Sequence, residues 1–188
     1  MIDKPKKILS SLYEACWVHY RDMLDYGGSS AVKKYSHTSK IIRRFNEGDL
    51  ERILELHATC FGNKKYDQII KYSRLFRNSF YIYEVKGKIV AFMGFYVHKK
   101  FVGLHRVQKA TGFSLCVDPS MRGKGIVLTM INESLKELKN NNVRVVNGCI
   151  DANNEQTLAV HQKFGFKIIE KNNKLCGPEK YKIELILS

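Results

Sequence analysis

The chain has 188 residues, 44% of them hydrophobic and 27% charged, which is the composition of an ordinary globular domain rather than of a disordered or fibrous protein. No apolar run approaches the roughly 18 residues that a membrane-spanning helix requires. Residues 1–22 also lack the apolar core and cleavage site of a signal peptide. We therefore expect a cytoplasmic protein that does not contact membranes.

Charge and cysteine content narrow the class of protein further. The net charge of +14 attracts anions such as nucleotides, acidic peptides and nucleic acids. The basic residues are spread along the chain and no base-stacking motif is visible, so nucleic-acid binding is kept only as a minor alternative. Five scattered cysteines without a C-x-x-C pair argue against a disulfide framework and a zinc site, and we expect no metal.

The first 40 residues form an N-terminal extension. Apolar residues recur every three or four positions over 5–26, which predicts a helix that ends at Gly27-Gly28. The polar segment 29–40 is then typical of a linker. We expect the apolar stripe, which includes Trp17, to pack on the main domain. The alternatives are that it forms a homodimer contact or helps to recognise a substrate.

From residue 41 onward, strands and helices alternate. The predicted order, β-α-α-β-β-β-α-β-α-β-β, indicates a mixed α/β (α+β) fold. Asn46 is suited to cap the first of these helices, and Lys86-Gly87-Lys88 is a hairpin signal. The predicted strands are 41–45, 80–85, 89–97, 107–118, 143–150, 166–170 and 180–187, and the predicted helices follow Asn46, cover 65–77, run across Val127 to Leu138 and cover 154–164.

The most informative stretch is VDPSMRGKGIV, residues 117–127. In this stretch a predicted strand is followed by a glycine-containing turn, and the turn leads into the N-terminus of an amphipathic helix. Such a turn exposes backbone N–H groups at the positive end of the helix, and glycines let a diphosphate approach the backbone. The turn is neither a Walker A loop nor a dinucleotide fingerprint, because G-x-x-x-x-G-K-[ST] is absent and Leu128 stands where a third glycine would be needed.

This stretch resembles the acetyl-CoA-binding motif of the GNAT superfamily of acyl-CoA N-acyltransferases, Gln/Arg-x-x-Gly-x-Gly/Ala. Arg122, Gly125 and Val127 occupy its fixed positions. Valine replaces the last small residue, which crowds the turn but leaves its amide donors in place. A second segment, NEQTLAVHQKFGF (154–166), is similar to the family's Asn-x-x-Ala-x-x-Leu-Tyr-x-Lys-x-Gly-Phe. The resemblance covers about residues 41–188.

The resemblance implies a fold, a cosubstrate and its contacts. The fold is a mixed, partly split sheet flanked by helices, with the N-terminal helix as an addition. Backbone groups around Leu115 and Val117 would pair with the pantetheine arm of acetyl-CoA like an added strand. Asn154 would hydrogen-bond near the pantetheine or the thioester. The pyrophosphate would be held by the amides of Arg122, Gly123, Lys124, Gly125, Ile126 and Val127.

His161 stands where many family members have a tyrosine that acts as general acid toward the departing thiolate. A histidine can donate a hydrogen bond when neutral, or a full proton when charged, so this role is chemically open to it. The alternative is that His161 only fills space on its helix while water protonates the thiolate. The sequence leaves both interpretations open.

No general base is assigned by the sequence. Glu84 and Asp118 are candidates by location only, and Asp118, within Asp-Pro, is more typical of a turn. Cys116 lies beside the predicted thioester strand but has no predictable base partner, so we expect a small buried residue. His98 and His105 lie where substrate can approach, but a solvated loop is the expected setting for them.

The leading hypothesis is acetyl transfer from acetyl-CoA to an amine of a protein, peptide or small molecule, by direct attack on the thioester without an acyl-enzyme. The positive charge disfavours strongly cationic acceptors and mildly favours those that carry carboxylate or phosphate. The alternatives are a non-catalytic acyl-CoA sensor, a basic nucleic-acid-binding module on the same fold, and transfer of a longer acyl group.

Overall fold

The computed structural model describes residues 20, 23–62, 66–102, 105–171 and 179–187, and for 100–102, 105 and 106 the backbone alone. The strands in these ranges are Arg43–Arg44 (β1), Phe80–Val85 (β2), Lys88–Val102 (β3), His105–Val117 (β4), Val143–Asp151 (β5), Lys167–Lys171 (β6) and Lys180–Ile186 (β7). The α-helices are residues 23–32 (α1), Leu50–Phe61 (α2), Tyr66–Leu75 (α3), Ile126–Asn140 (α4) and Glu155–Lys163 (α5). The seven strands described form one sheet in the order β1-β2-β3-β4-β5-β7-β6.

The order of elements from residue 41 onward is the predicted one, and the mixed α/β fold is confirmed. Asn46 caps the first helical segment as expected: its Oδ1 accepts from the Gly48 amide at 2.8 Å, and the Asp49 carboxylate accepts from the Asn46 amide at 2.7 Å. This reciprocal pair is a capping box. Lys86 and Gly87 both have positive φ, as the tightest hairpin turns require.

The hairpin of β3 and β4 is longer than predicted. The two strands pair from Ala91↔Val117 to Val102↔His105. The expectation of a solvated loop around His98 and His105 is therefore wrong, because both residues belong to paired strands. The histidines and basic residues between His98 and Arg106 favour a solvated loop, whereas pairing between β3 and β4 places them in the hairpin.

The core is divided by the sheet. α4 contributes Met130 and Leu138 to a large apolar cluster, whereas α2 contributes Ile53 to a smaller cluster that includes Phe92 and Cys116. The neighbours of Phe92 along β3 belong to the large cluster. Because successive strand residues point to opposite faces, α4 and α2 cover opposite faces of the sheet.

The predicted helix end at Gly27-Gly28 is wrong, because α1 runs through both glycines to residue 32. A Cβ added to Gly28 would lie 1.6 Å from the Val97 carbonyl oxygen, so this glycine serves the close approach of α1 to β3 rather than a helix stop. Val32 at the end of α1 is buried in the large cluster, but the described members of the predicted apolar stripe, Tyr20, Met23 and Leu24, are exposed, so these residues do not pack on the main domain as expected. Most of the predicted segment 5–26, with Trp17, lies outside the described residues.

The predicted linker is fixed to α4 by its last residues. We call residues 36–39 the strap. The buried Glu137 carboxylate accepts hydrogen bonds from the Thr38 and Ser39 amides at 2.8 and 2.7 Å and from Thr38 Oγ1 at 2.7 Å. Burial by itself raises the pKa of Glu137, but these bonds outweigh it and hold the pKa below its usual value. The strap is therefore an ordered part of the domain surface.

Candidate cofactor groove and active site

The sheet opens between β4 and β5, which run parallel to each other. Their pairing extends from Gln108↔Val143 to Thr111↔Asn147 and then stops, although both strands continue, to Val117 and Asp151. On its other side, β4 stays paired with β3 up to Val117. The backbone of β4 after Thr111 therefore presents an edge that β5 does not use. We call the opening between 112–117 and 148–151 the β4–β5 groove.

The groove is also visible in the burial of β4. Residues 111–115 are only half-buried, whereas the strand is buried just before and just after them. A β-bulge marks the same point, because Gly94 pairs with Ser114 but Phe95 pairs with Gly112, which leaves Phe113 without a counterpart. Bulges redirect a strand and end regular pairing. The bulge thus lies immediately past the residues where β4 and β5 separate.

The loop beyond the end of β4 exposes backbone donors. Gly123 and Gly125 both have φ +75°, and a Cβ built on either would meet nothing within 4 Å. The first helical hydrogen bond of α4 runs from the Thr129 amide to the Gly125 carbonyl at 3.0 Å. The amides of 123–128 therefore have no partner among the described residues. The Arg122 amide does have one, because it donates to the Pro119 carbonyl at 3.3 Å.

Two helices begin at this end of the groove. α4 starts beyond the end of β4 and α5 starts beyond the end of β5, and because the two strands are parallel, both helix N-termini lie at their carboxyl ends. Asn154 caps α5, since its Oδ1 accepts from the Thr157 amide at 3.0 Å. The positive ends of two helix dipoles and the free amides make this crevice suited to an anion.

The side chains of the loop fasten it to the end of β4. Arg122 Nε donates to the Val117 carbonyl at 3.4 Å, and Arg122 Nη2 lies 3.6 Å from Cys60 Sγ. The Val117 carbonyl is thereby engaged within the protein, whereas Leu115 is half-buried and packs against the core from inside the groove. Val127, the departure from a small residue, also packs half-buried on the core, which leaves the exposed side of the loop open.

His161 is buried on α5, with its ring edge-on to Phe166 at 5.2 Å between centroids. Its Nδ1 lies 2.8 Å from the Thr157 carbonyl oxygen. Because a carbonyl can only accept, Nδ1 must carry the proton, and in the neutral ring Nε2 is then an acceptor. Burial lowers the pKa of His161 and the Thr157 bond only partly opposes this. At neutral pH the ring is thus able to take up a proton before it can give one.

A polar cluster lies where β4 and β5 separate. The buried Lys109 Nζ and the partly exposed Glu184 Oε2 form an ion pair at 2.9 Å, and Thr111 Oγ1 lies 2.5 Å from the Asn147 carboxamide. With that carboxamide turned so that its nitrogen faces Thr111, its oxygen also accepts from Lys109 at 3.1 Å. The sequence analysis missed these residues, which come from three strands: Lys109 and Thr111 at alternate positions of β4, Asn147 on β5 and Glu184 on β7.

Residues 50–166 match the sequence model of the acetyltransferase (GNAT) family. The chain belongs to this family. A curated relative, an uncharacterized N-acetyltransferase of Methanocaldococcus jannaschii, is 25% identical over 136 residues, which are 67% of this chain and only 60% of the relative's length. The sequence resemblance to GNAT proteins is thus confirmed.

Solved structures show the same fold. Ard1 from Thermoplasma volcanium has a TM-score of 0.65 and 21% sequence identity, covering 78% of this chain and 97% of that one. Arabidopsis thaliana Naa50, in complex with the bisubstrate analogue CoA-Ac-MVNAL, has a TM-score of 0.65 and 18% identity, covering 77% and 96%. These similarities confirm the expected GNAT fold with its partly split sheet.

The two carboxylates considered as general bases are engaged elsewhere. Glu84 lies on β2 beside the hairpin turn and pairs with Arg43 at 2.5 Å. Asp118 accepts from Ser120 Oγ at 2.7 Å and from the Ser120 amide at 3.1 Å, which lowers its pKa, and it also pairs with Arg52 at 2.8 Å. Asp118 is therefore the turn residue that its Asp-Pro context indicates.

The three cysteines in the described part of the chain fall into two groups. Cys116 is a free, buried thiol whose pKa is raised by burial, so the expectation of a small buried residue is confirmed. Cys60 is also free, whereas Cys149 is disulfide-bonded, which the scattered spacing of cysteines in the sequence did not indicate. Within the described ranges, no three His, Cys, Asp or Glu side chains are grouped to hold a metal ion, and none of the helices described is long and apolar enough to span a bilayer.

Proposed function

We propose that this GNAT protein transfers an acetyl group from acetyl-CoA to a primary amine by direct attack on the thioester. The observation that carries the proposal is the end of β4–β5 pairing at Thr111↔Asn147, combined with unpaired amides at the carboxyl end of the same groove. Pantetheine contains two amides, so it can add to the free edge of β4 as a further strand does. The diphosphate then reaches the helix N-terminus beyond that edge.

The cosubstrate contacts follow from which groups remain unpaired. The amides of 123–127 are the donors available to the diphosphate, and Arg122 serves by fastening the loop. The free edge around Leu115 receives the pantetheine, while the Val117 carbonyl keeps its contacts within the protein. Asn154 has its oxygen in the helix cap, so its Nδ2 is the group that donates toward the cosubstrate.

His161 acts as a proton carrier in this proposal. When the amine nitrogen attacks the thioester carbonyl carbon, a C–N bond forms and the nitrogen becomes positively charged. Nε2 of the neutral ring takes one proton from this nitrogen. As the C–S bond breaks, the resulting imidazolium gives the proton to sulfur, so the products are an amide and CoA thiol. Nδ1 stays on the Thr157 carbonyl throughout, which holds the ring in orientation.

The acceptor that fits best is a peptide or protein α-amine. Neither Glu84 nor Asp118 is placed as a base that would deprotonate a strongly basic amine. An α-amine, with pKa near 7.8, is roughly one-third neutral at pH 7.5, whereas a lysine is about 0.1% neutral. The peptide moiety of the analogue bound to Naa50 supports the same class. The net charge of +14 also favours acceptors of low positive charge.

Two measurements test the proposal. Thermal unfolding is followed with CoA, acetyl-CoA and longer acyl-CoAs, where a ligand at 100 times its Kd adds about 2.7 kcal/mol of stability. Turnover is then compared between a peptide with a free α-amine and the same peptide with a blocked N-terminus and an internal lysine. Faster turnover of the free α-amine is expected. Absence of stabilisation at millimolar CoA would refute the cosubstrate assignment, and binding without turnover of any amine would indicate a sensor instead.

A further inference from the structure

A pair of thiols lies directly beneath the cosubstrate loop and has no part in acetyl transfer. Cys60 is on the last turn of α2 and Cys116 is on the face of β4 that α2 covers. Cys60 packs against the buried cluster that contains Cys116, and its Sγ lies 3.6 Å from the carbonyl oxygen of Val117, the residue that follows Cys116. Cys60 is half-buried and Cys116 is buried, so reagents reach the pair through Cys60.

The contacts of Cys60 connect the pair to the loop. Its Sγ donates to the Val117 carbonyl at 3.6 Å and accepts from Arg122 Nη2 at 3.6 Å. Oxidants react with the thiolate form of a cysteine, and the half-buried Cys60 is the thiol of the pair that they can reach. Cys116 sits in apolar surroundings that keep it a thiol. Cys60 is thus the first sulfur to react and Cys116 is its nearest partner.

We propose that Cys60 and Cys116 form a reversible oxidation site that a peroxide converts to a disulfide. Cys60 thiolate attacks the peroxide, and with one proton this gives Cys60 sulfenic acid and one water. The Cys116 thiol then attacks the sulfenic sulfur, which forms the S–S bond and releases a second water. The two sulfurs together lose two electrons and the peroxide gains two.

Disulfide formation changes the support of the loop. It removes the S–H that donates to the Val117 carbonyl and turns the sulfur away from Arg122. The loop then loses the contact between Arg122 and α2, and α2 loses its contact with the end of β4. On the basis of the proposed function, CoA affinity falls on oxidation by about threefold to tenfold, the value of one or two weak hydrogen bonds. The oxidation itself does not depend on that function.

The chain offers a direct readout, because trypsin places the two thiols in separate peptides, 53–64 and 110–122. The full chain is treated with hydrogen peroxide, free thiols are alkylated, and the digest is analysed by mass spectrometry. We expect one cross-linked species, about 2 Da lighter than the two peptides together, which dithiothreitol separates again. Recovery of both peptides singly alkylated after peroxide would overturn the proposal.

Two variants resolve the steps. Cys60→Ser, at a half-exposed position, should leave Cys116 unoxidised, whereas Cys116→Ala should stop at a Cys60 sulfenic acid that dimedone traps. Oxidation of Cys116 in Cys60→Ser would contradict the order of reaction.

CoA titration of reduced and oxidised wild type, with peroxide-treated Cys60→Ser as control, tests the link between the thiols and the cosubstrate loop. Equal CoA affinities of the reduced and oxidised wild type would refute that link. If reduced protein fails to bind CoA, the proposed function fails while the cross-link still reports on the thiol site.

Discussion

The variant Gly125→Ala tests whether the loop binds the cosubstrate, and Gly87→Ala is the control for the effect of backbone geometry alone. Gly125 has φ +75° and open space around the position of a Cβ, and the hairpin residue Gly87 has φ +73° and the same open space. A left-handed backbone costs a non-glycine residue about 1–2 kcal/mol, which the reduced entropy of the unfolded chain offsets by about 0.4–1 kcal/mol. Both Gly125→Ala and Gly87→Ala should therefore lose roughly 1 kcal/mol of unfolding free energy, or about 2–4 °C in melting temperature.

The two variants should differ in CoA binding. The methyl group at residue 125 enters the space that the diphosphate needs to reach the free amides, so the Kd for CoA should rise at least about tenfold, or 1.4 kcal/mol. Gly87→Ala should bind CoA like the wild type because Gly87 lies in the turn between β2 and β3, and neither of these strands borders the groove between β4 and β5. Isothermal titration calorimetry with both variants is the assay. Equal CoA affinities for the two would refute the placement of the diphosphate at this loop.

Three further predictions follow from packing and protonation. Gly28→Ala should lose more than about 2 kcal/mol of unfolding free energy in a denaturant titration, because its methyl meets the Val97 carbonyl; Gly27→Ala, with nothing within 4 Å, should instead gain about 0.5–1 kcal/mol. Glu137→Gln should cost about 2–4 kcal/mol through the lost charged acceptor. The pKa of Glu137 is lower in the folded protein than its unfolded value near 4.5. The carboxylate therefore contributes its full stabilisation above that unfolded value, and this stabilisation is lost as the pH falls through the folded pKa. The wild type should thus lose unfolding free energy more steeply in acid than Glu137→Gln. His161→Phe should lower kcat by about 100-fold or more with CoA affinity within about twofold. Burial lowers the pKa of His161 from the ordinary histidine value of about 6.5, so the wild-type kcat should fall only on the acid side of that value, where the neutral ring, the active form, becomes protonated. Persistence of that acid limb in the variant would contradict the proton-carrier role.

Local signals made the element order and the loop predictable. The strand that leads into Gly123 and Gly125 and then into an amphipathic helix lies within a dozen residues, so the turn could be inferred from spacing alone. The capping box at Asn46 and the hairpin at Gly87 are equally local. In each case the residues that cause the geometry are neighbours in the chain.

Contacts between distant residues account for what the sequence did not reveal. Lys109 and Glu184 are 75 positions apart in the sequence, and Thr38 and Glu137 are 99 positions apart. No local sequence pattern predicts either pair. Packing also reversed a local signal, since Gly28 has the residue type of a helix stop but lies where α1 touches β3. The tautomer of His161 is set locally, by the Thr157 carbonyl four residues earlier, but residue type alone does not reveal that bond.

The strap, residues 36–39, is part of the folded domain although it lies before the first residue that matches the family model. The family match begins at residue 50, yet a carboxylate on α4, the helix that follows the cosubstrate loop, draws three of its hydrogen bonds from Thr38 and Ser39. A chain shortened to start at residue 41 would keep every matched residue and still bury that charge without those donors. Such a truncation should melt at a lower temperature than the full chain, and replacing Glu137 by an apolar residue of similar size should recover part of the loss. The unit that folds here therefore extends beyond the residues that match the family model.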